Sequence, residues 1–323
     1  MQRQEEGERM NDWQYNRVIE KKSHSVKTAD LAAIFILIAG TLWGMIGLFS
    51  NAMSGGGFSS MEITFIRNAV AAVGLWGYLL IFRRNLIRIE LKDIWMFLGT
   101  GILSIVFFNI MYFTTIQLST LSIAAILLYT APCFVMVMSV LFFHEKLTKA
   151  KVAALICAFC GCVFTTGIVE GLLSGQGPGN ITGLGIMTGI CSGIGYALYS
   201  IFGNIALKKY QTETVTAYTF LIAAVSLMPF CLNEELIVRL QNNSMAANSL
   251  GIGLVSTLAP FCFYTAGLKY TEPGKASVMA FVEPMVATLI GIFILHQKIT
   301  ITGIAGILLI FISIVILNSK ECD

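Results

Sequence analysis

AAILLYTAPCFVMVMSVLFFHEKLT, residues 124–148, and ASVMAFVEPMVATLIGIFILHQKIT, residues 276–300, decide how this chain folds. Pro132, His144, Lys146 and Thr148 of the first stretch return as Pro284, His296, Lys298 and Thr300 of the second, each pair 152 positions apart. Ala124 and Ala276 match as well, and most of the pairs between them are apolar on both sides. At a similar offset, Trp43-Gly44 corresponds to the region of Ile194-Gly195. Few residues are identical, so the shared spacing carries the conclusion that the chain holds two copies of one unit.

Both stretches are too apolar for a water-soluble domain, and so is the chain around them. Of 323 residues, 56% are hydrophobic and 12% charged, and the mean hydropathy is +0.78. An ordinary soluble domain carries about 25% charged residues, and a soluble globule could not hide this much apolar surface. A soluble enzyme, a disordered chain and a nucleic-acid binder are thereby excluded. The net charge of +3 says little, because the placement of the basic residues matters more than their sum.

A helix needs about 20 mainly apolar residues to cross the ~30 Å hydrocarbon core. Ten stretches qualify: 31–50, 62–82, 95–115, 120–143, 152–169, 183–207, 214–232, 249–268, 276–295 and 300–317. Barrel strands would alternate apolar and polar residues over about ten positions, and these runs do not. The fold expected is all-α, a polytopic membrane protein. Its first span is expected to be a retained helix behind a polar tail (1–30) with equal numbers of acids and bases, not a cleaved signal peptide.

Orientation follows from Lys and Arg. With the N-terminus inside, 18 of the 21 fall on the cytoplasmic side, in the tail, around Arg83–Lys92, at Lys146, Lys149 and Lys151, and at Lys208, Lys209, Lys269, Lys275 and Lys320. Arg239 and Lys298 lie outside, and Arg67 lies within a span. Both termini are therefore expected in the cytoplasm, in the plasma or inner membrane. Each copy of the repeat holds five spans (31–169 and 183–317), joined by an external linker, 170–182, and followed by a short tail, 318–323. Gly175-Gln176-Gly177-Pro178-Gly179-Asn180 is turn chemistry within that linker. Five is odd, so the second copy enters the membrane inverted. Inverted repeats allow two near-equivalent conformations open to opposite sides, which is transporter architecture.

In this arrangement the chain resembles the EamA-type permeases of the drug/metabolite transporter superfamily. The resemblance rests on Trp43-Gly44, Arg67, Ser122-Ile123-Ala124-Ala125 leading to Pro132, and the exit Phe143-His144-Glu145-Lys146-Leu147. In the second half it rests on Ala276-Ser277 leading to Glu283-Pro284, and on Leu295-His296-Gln297-Lys298-Ile299. It covers nearly everything from 31 to 317. Gln297 departs from it, since the family usually has an acid there, as Glu145 is in the first half. The resemblance implies a ten-helix carrier of a small metabolite, such as an amino acid or related amine, working in export.

Among the 18 acids only Glu283 lies well inside a span. An acid at mid-bilayer is costly unless it is paired, protonated or wet, so it marks function. Ala276, Ala280, Glu283 and Ala287 share one helical face, which reads as a close-packed or cavity-lining surface. Glu283 is either a titratable site for a cationic group or a coupled proton, or a carboxylate that satisfies backbone donors freed near Pro284. Arg67 could grip an anionic or zwitterionic substrate, or could snorkel outward or bind helix carbonyls. Trp43, Asn109, Tyr129, Tyr196, Tyr199 and Tyr264 complete the candidate lining, since amides and hydroxyls inside a bilayer seek the bundle interior. Helix packing is the competing reading for each of them. Pro132 and Pro284 would bend equivalent helices and form a gate. Gly40 with Gly44, and Gly185 with Gly189 and Gly193, make smooth faces for packing or rocking.

Enzyme readings fare poorly. All four Asp lie outside the spans, and His144 and His296 end spans on opposite faces. The eight cysteines are scattered; Cys157, Cys160 and Cys162 have no His or acid on their helix and read as packing residues, so no metal or cofactor is expected. No charged ring or filter-like repeat suggests a channel. The expected function is alternating-access transport of a small-molecule substrate, with export of an amino acid or amine as the leading reading. Proton-coupled uptake or drug efflux, with Glu283 as the proton site, is the alternative within transport. A non-transporting scaffold or sensor is the alternative outside it. The sequence is silent on oligomeric state.

Overall fold

The computed structural model describes residues 30–175, 182–297 and 300–319. The polar tail before residue 30, the turn at 176–180, Lys298, Lys320 and the C-terminal residues lie outside these. The described residues are helical, without strands. Ten long helices dominate the described residues: α1 Asp30–Gly55, α2 Ser60–Phe82, α3 Leu91–Leu118, α4 Leu121–Phe143, α5 Lys149–Thr165, α6 Gly183–Leu207, α7 Thr212–Cys231, α8 Asn243–Leu268, α9 Pro273–Phe293 and α10 Ile301–Asn318. Nine are long and apolar enough to cross a membrane. The exception, α5, has 17 residues and stops before Gly167, whose φ of 73° breaks the helix; a short helix, Ile168–Leu173, follows. The fifth expected span, 152–169, thus begins and ends earlier than its apolar run.

Local chemistry sets the helix ends. Ser59 and Glu62 form a capping box at α2, with Ser59 Oγ accepting from the Glu62 amide at 3.2 Å and Glu62 Oε2 accepting from the Ser59 amide at 2.7 Å. Thr148 caps α5 by accepting from the Lys151 amide, and Thr300 caps α10 in the same way from Gly303.

The 152-residue offset runs through the backbone itself. Two π-helical segments, Gly99–Val106 in α3 and Gly251–Leu258 in α8, are equivalent residue for residue. Among the described residues the two non-glycine positions with positive φ are His144 (57°) and His296 (52°), which end α4 and α9 in the left-handed conformation. Both helices are also broken midway. In α4 the segments are Leu121–Leu128 and Ala131–Phe143; in α9 they are Pro273–Met279 and Val282–Phe293. Pro132 and Pro284 sit in the first turn of the second segment of each, where each removes one N–H from the helical ladder.

The glycine faces pack against these broken helices. A Cβ on Gly40 would lie 2.3 Å from Val282 Cγ1, and one on Gly44 would lie 2.9 Å from the Glu283 carbonyl oxygen, so α1 rests on α9 at its break. Equivalently, a Cβ on Gly189 would strike Leu127, and one on Gly193 would strike Thr130, so α6 rests on α4. The first helix of each repeat thus leans on the broken helix of the other.

Backbones approach closely where α5 meets α10, and a Cβ on Gly306 would stand 2.6 Å from the Gly161 carbonyl oxygen. No side chain can yield there. Gly306→Leu is expected to destabilise the bundle by about 2 kcal/mol, lowering the melting temperature in detergent by roughly 5 °C. Gly77→Ala, at a position with nothing within 4 Å, should leave it unchanged.

The two ends of the bundle differ. The loops at 83–90, 144–148 and 208–211 carry Arg83, Arg84, Arg88, Lys146, Lys208 and Lys209, and define a basic end. There the first segment of α9 packs on the second segment of α4. Every residue from Pro273 to Val282 is buried. By the repeat, the first segment of α4 should meet the second segment of α9 at the other end, yet no comparable packing joins them. Of residues 121–130 only Ile123 and Ala124 are buried. Packing is thus tight at the basic end, the closed end, and looser at the opposite, open end.

Charged groups tie the closed end together. Lys151 on α5 pairs with Glu145 at 3.6 Å and with Glu272, which precedes α9. Burial pushes the Glu145 carboxyl up, with Glu272 adding to the rise and Lys151 opposing it. Lys209 bridges Asp93 at 2.6 Å and Glu90 at 2.5 Å, holding the Glu90 carboxyl below its usual range. At the open end Arg239 pairs with Glu62 at 2.6 Å and bonds the Gly57 carbonyl, fastening the helix Glu234–Leu240 to the α1–α2 loop.

Candidate functional site

Glu283 stands in the first turn of the second segment of α9, where the helix has been interrupted and α1 presents glycines instead of side chains. Its side chain is half-buried inside the bundle. Its charge is felt by Arg67, Tyr112, Tyr129 and Tyr196, which come from α2, α3, α4 and α6. Residues from both repeats therefore converge on one carboxylate. The Tyr129 ring lies 6.0 Å from that of Phe281, its equivalent in the repeat. Contact between equivalent positions places this cluster on the axis relating the two halves.

Arg67 approaches from α2. Its Nε donates to Thr257 Oγ1 at 2.9 Å, and Thr257 in turn donates to the Ile252 carbonyl within the π segment of α8. No ion pair within 4 Å joins Arg67 to Glu283 among the described residues. The two opposite charges interact across the interior from beyond contact distance.

Beside the charges lies a small aromatic pocket of about 10 Å³, room for about one water molecule. Trp43, Tyr196, Tyr199 and Tyr264, all expected to line a site, meet there with Phe108, Phe261, Ile105, Ser104 and Ser200. The rings interlock, with Trp43 5.1 Å from Phe261 and 5.3 Å from Tyr264, and Tyr199 4.9 Å from Phe261. The Tyr199 hydroxyl bonds Thr265 at 2.6 Å and the Tyr264 hydroxyl bonds Ser200 at 2.8 Å, so both phenols are anchored and present their faces. Tyr196 belongs to both groups and links the pocket to Glu283.

Asn109 is placed elsewhere. It is buried, its Nδ2 donates to the Ile105 carbonyl at 2.7 Å, and its Oδ1 faces Thr64 Oγ1 at 3.4 Å, which binds α3 to α2. Among the residues of the site that escaped the sequence reading are Tyr112, Ser104 and Phe261. Tyr112 is the equivalent of Tyr264, and Ser104 the equivalent of Ser256, in the matching runs GTGILS (99–104) and GIGLVS (251–256). Phe261 stands at the position of Asn109, where the repeat changes residue type.

Against known proteins, the model of the EamA-like transporter family matches this chain twice, over residues 30–167 and 183–319. An uncharacterized transporter of Archaeoglobus fulgidus is 27% identical over 84% of this chain and 90% of its own length. The uncharacterized transporter YxxF of Bacillus subtilis is 23% identical over 90% of each chain. The uncharacterized inner membrane transporter YicL of Salmonella typhimurium is 22% identical over 88% of this chain and 93% of its own. One crystal structure superposes with a TM-score of 0.74 at 17% identity, covering 89% of this chain and 96% of the other, a likeness of fold.

Proposed function

This chain belongs to the EamA-like transporter family, and on that premise we propose that it carries a small amino acid or related amine across the membrane by alternating access. The carrying observation is the pair of opposite charges, Glu283 and Arg67, held inside the bundle among tyrosines drawn from both repeats. An ammonium group would seat against Glu283 and a carboxylate against Arg67, where low dielectric strengthens both contacts. Closure of the open end and opening of the basic end would then expose the same site to the other side. The excess of Lys and Arg at the basic end supports a cytoplasmic placement of that end and of both termini, with the protein in the plasma or inner membrane. Two five-helix halves, 31–169 and 183–317, joined by the linker 170–182, would be the moving bodies, and Pro132 and Pro284 would lie in the gates.

Export is the direction proposed, and the driving gradient sets it. The half-buried carboxylate without a contact-range cation favours a second reading, in which Glu283 also takes up a proton and couples transport to it. The test is a thermal-shift screen of the detergent-purified protein against amino acids, polyamines, quaternary amines, nucleosides and sugar phosphates. A ligand at 100 times its Kd stabilises the native state by about 2.7 kcal/mol. Stabilisation by amino acids or amines is expected. Stabilisation by sugar phosphates or nucleosides alone would overturn the assignment, and binding of a partner chain with no solute moved in liposomes would favour a scaffold.

A further inference from the structure

We propose that Glu145 is a proton-binding site at the basic end, and that closing this end takes up a proton there, whichever substrate is carried. The side chain, 7% exposed, lies just past the end of α4, where the first segment of α9 packs on the second segment of α4. A Cβ on Gly274 of that segment would stand 3.0 Å from Glu145 Oε2. Glu145 Oε1 is buried without a hydrogen-bond partner. Lys151 Nζ stands 3.6 Å from Oε2 and donates instead to Glu272 and to the Lys146 carbonyl. A carboxylate so placed is costly to keep charged, and a second acid on the same cation makes it costlier. A proton relieves both costs. The Ser139 hydroxyl of α4, also buried without a partner, lies beside the carboxyl as an acceptor for it.

Burial and the charge of Glu272 accordingly push the Glu145 carboxyl up, against the pull of Lys151. The same elements also carry His144 and Lys146 beside it in the chain, Lys149 on α5 and Lys275 on α9. When the basic end opens, the first segment of α9 leaves α4, and Glu145 loses both its cover and its neighbour Glu272. The carboxyl then returns toward the ordinary value of about 4.3. The closed form therefore binds the proton more tightly, so a fall in pH favours closure and a rise favours opening. This contribution is complete below the ordinary carboxylate value and is lost as pH rises through the raised value of the closed form. The equivalent position at the other end is Gln297, whose amide lies over Gly291, the counterpart of Ser139. An amide stays neutral at every pH, so of this pair only the position at the basic end titrates.

The experiment follows a cysteine placed at Ser277, buried on the first segment of α9, in the full-length protein with its native cysteines replaced. Its reaction with a membrane-impermeant maleimide is measured in lipid nanodiscs at about pH 5 and about pH 8, above the ordinary carboxylate value. Glu145→Gln fixes the neutral form, and the ratio of the two proteins' rates cancels the pH response of the thiol itself. The protein with Glu145 is expected to label about twofold faster or more than Glu145→Gln at the higher pH, and at a nearly equal rate at the lower. A ratio that is the same at both pH values would overturn the proposal. Faster labelling of Glu145→Gln throughout would also overturn it, since the charge of Glu145 would then be what holds the end closed. Should Glu145→Gln fail to purify as a single species, Glu272→Gln decides. Removal of the neighbouring charge should move the pH response, taken relative to a free-thiol peptide, to lower pH, and an unmoved response contradicts the proton site.

Discussion

Glu283→Gln is expected to weaken binding of an amine or amino-acid substrate by roughly 10- to 150-fold, because a hydrogen bond to a charged group contributes about 1.5–3 kcal/mol. The substitution keeps the size of the side chain and its place beneath the glycines of α1, so the change falls on charge. Glu283 is half-buried in the bundle, and its field reaches Arg67 and tyrosines of three further helices. Counterflow and net flux in proteoliposomes separate the two readings of this residue. If the carboxylate holds the substrate, both fall together. If it carries only the coupled proton, pH-driven flux disappears while substrate exchange persists. Unchanged binding together with unchanged pH-driven flux would remove Glu283 from the account.

The second large effect is expected at the closed end. Lys151 joins the first repeat to the second through Glu272, and it neutralises Glu145, whose side chain is 7% exposed. Lys151→Met leaves two carboxylates facing each other without a cation. Loss of one partner of a mostly buried pair is strongly destabilising, here to the conformation that needs the pair. We expect the basic end to open in a larger share of molecules. A cysteine at Ser277, buried in the first segment of α9, should then react with a membrane-impermeant maleimide at least tenfold faster. That factor corresponds to about 1.4 kcal/mol. An unchanged rate would mean that packing of α9 on α4 suffices to hold the closed end. The equivalents of Glu145, Lys151 and Glu272 at the other end are Gln297, Gly303 and Thr120, all uncharged. This triad thus has no charged counterpart at the equivalent positions of the other end, which fits the tighter packing at the basic end.

Much of this fold is legible in the sequence because membrane spans are set by apolar length and the repeat by spacing. Pro132 and Pro284, with His144 and His296, mark equivalent breaks and exits, and the backbone bends and turns at those positions. The glycines at 40 and 44, and at 189 and 193, announce close contact, though not which helix they meet. The π segments were not read. A shift from four- to five-residue hydrogen bonding leaves no change in apolar pattern, and only the paired runs GTGILS and GIGLVS betray it. The early end of α5 was missed because the apolar run continues past Gly167, where the backbone turns left-handed.

The site was legible in part. Glu283 and Arg67 stand out because charges inside spans are rare, and the tyrosines because they carry hydroxyls there. Their grouping depends on which helices face one another, so the sequence could not separate Asn109, bonded between α2 and α3, from Tyr196 in the pocket. Phe261 was invisible as a candidate because a phenylalanine in a span is unremarkable until its ring is found between Trp43 and Tyr199. The open and closed ends were not read either, since two halves with the same spacing permit both.

The central claim is that one site is exposed alternately by reciprocal motion of two inverted halves. Spin labels at Ser119 and Leu295 report the open end, and labels at the equivalent Thr271 and Phe143 report the closed basic end. The most direct test is the pair of distances by pulsed dipolar spectroscopy in nanodiscs, on a background with the native cysteines replaced, with and without saturating substrate. The account predicts that the Ser119–Leu295 distance shortens in a fraction of molecules and that the Phe143–Thr271 distance lengthens in the same fraction. Two unchanged distances in a protein that moves substrate in vesicles, or both ends opening together, would contradict it.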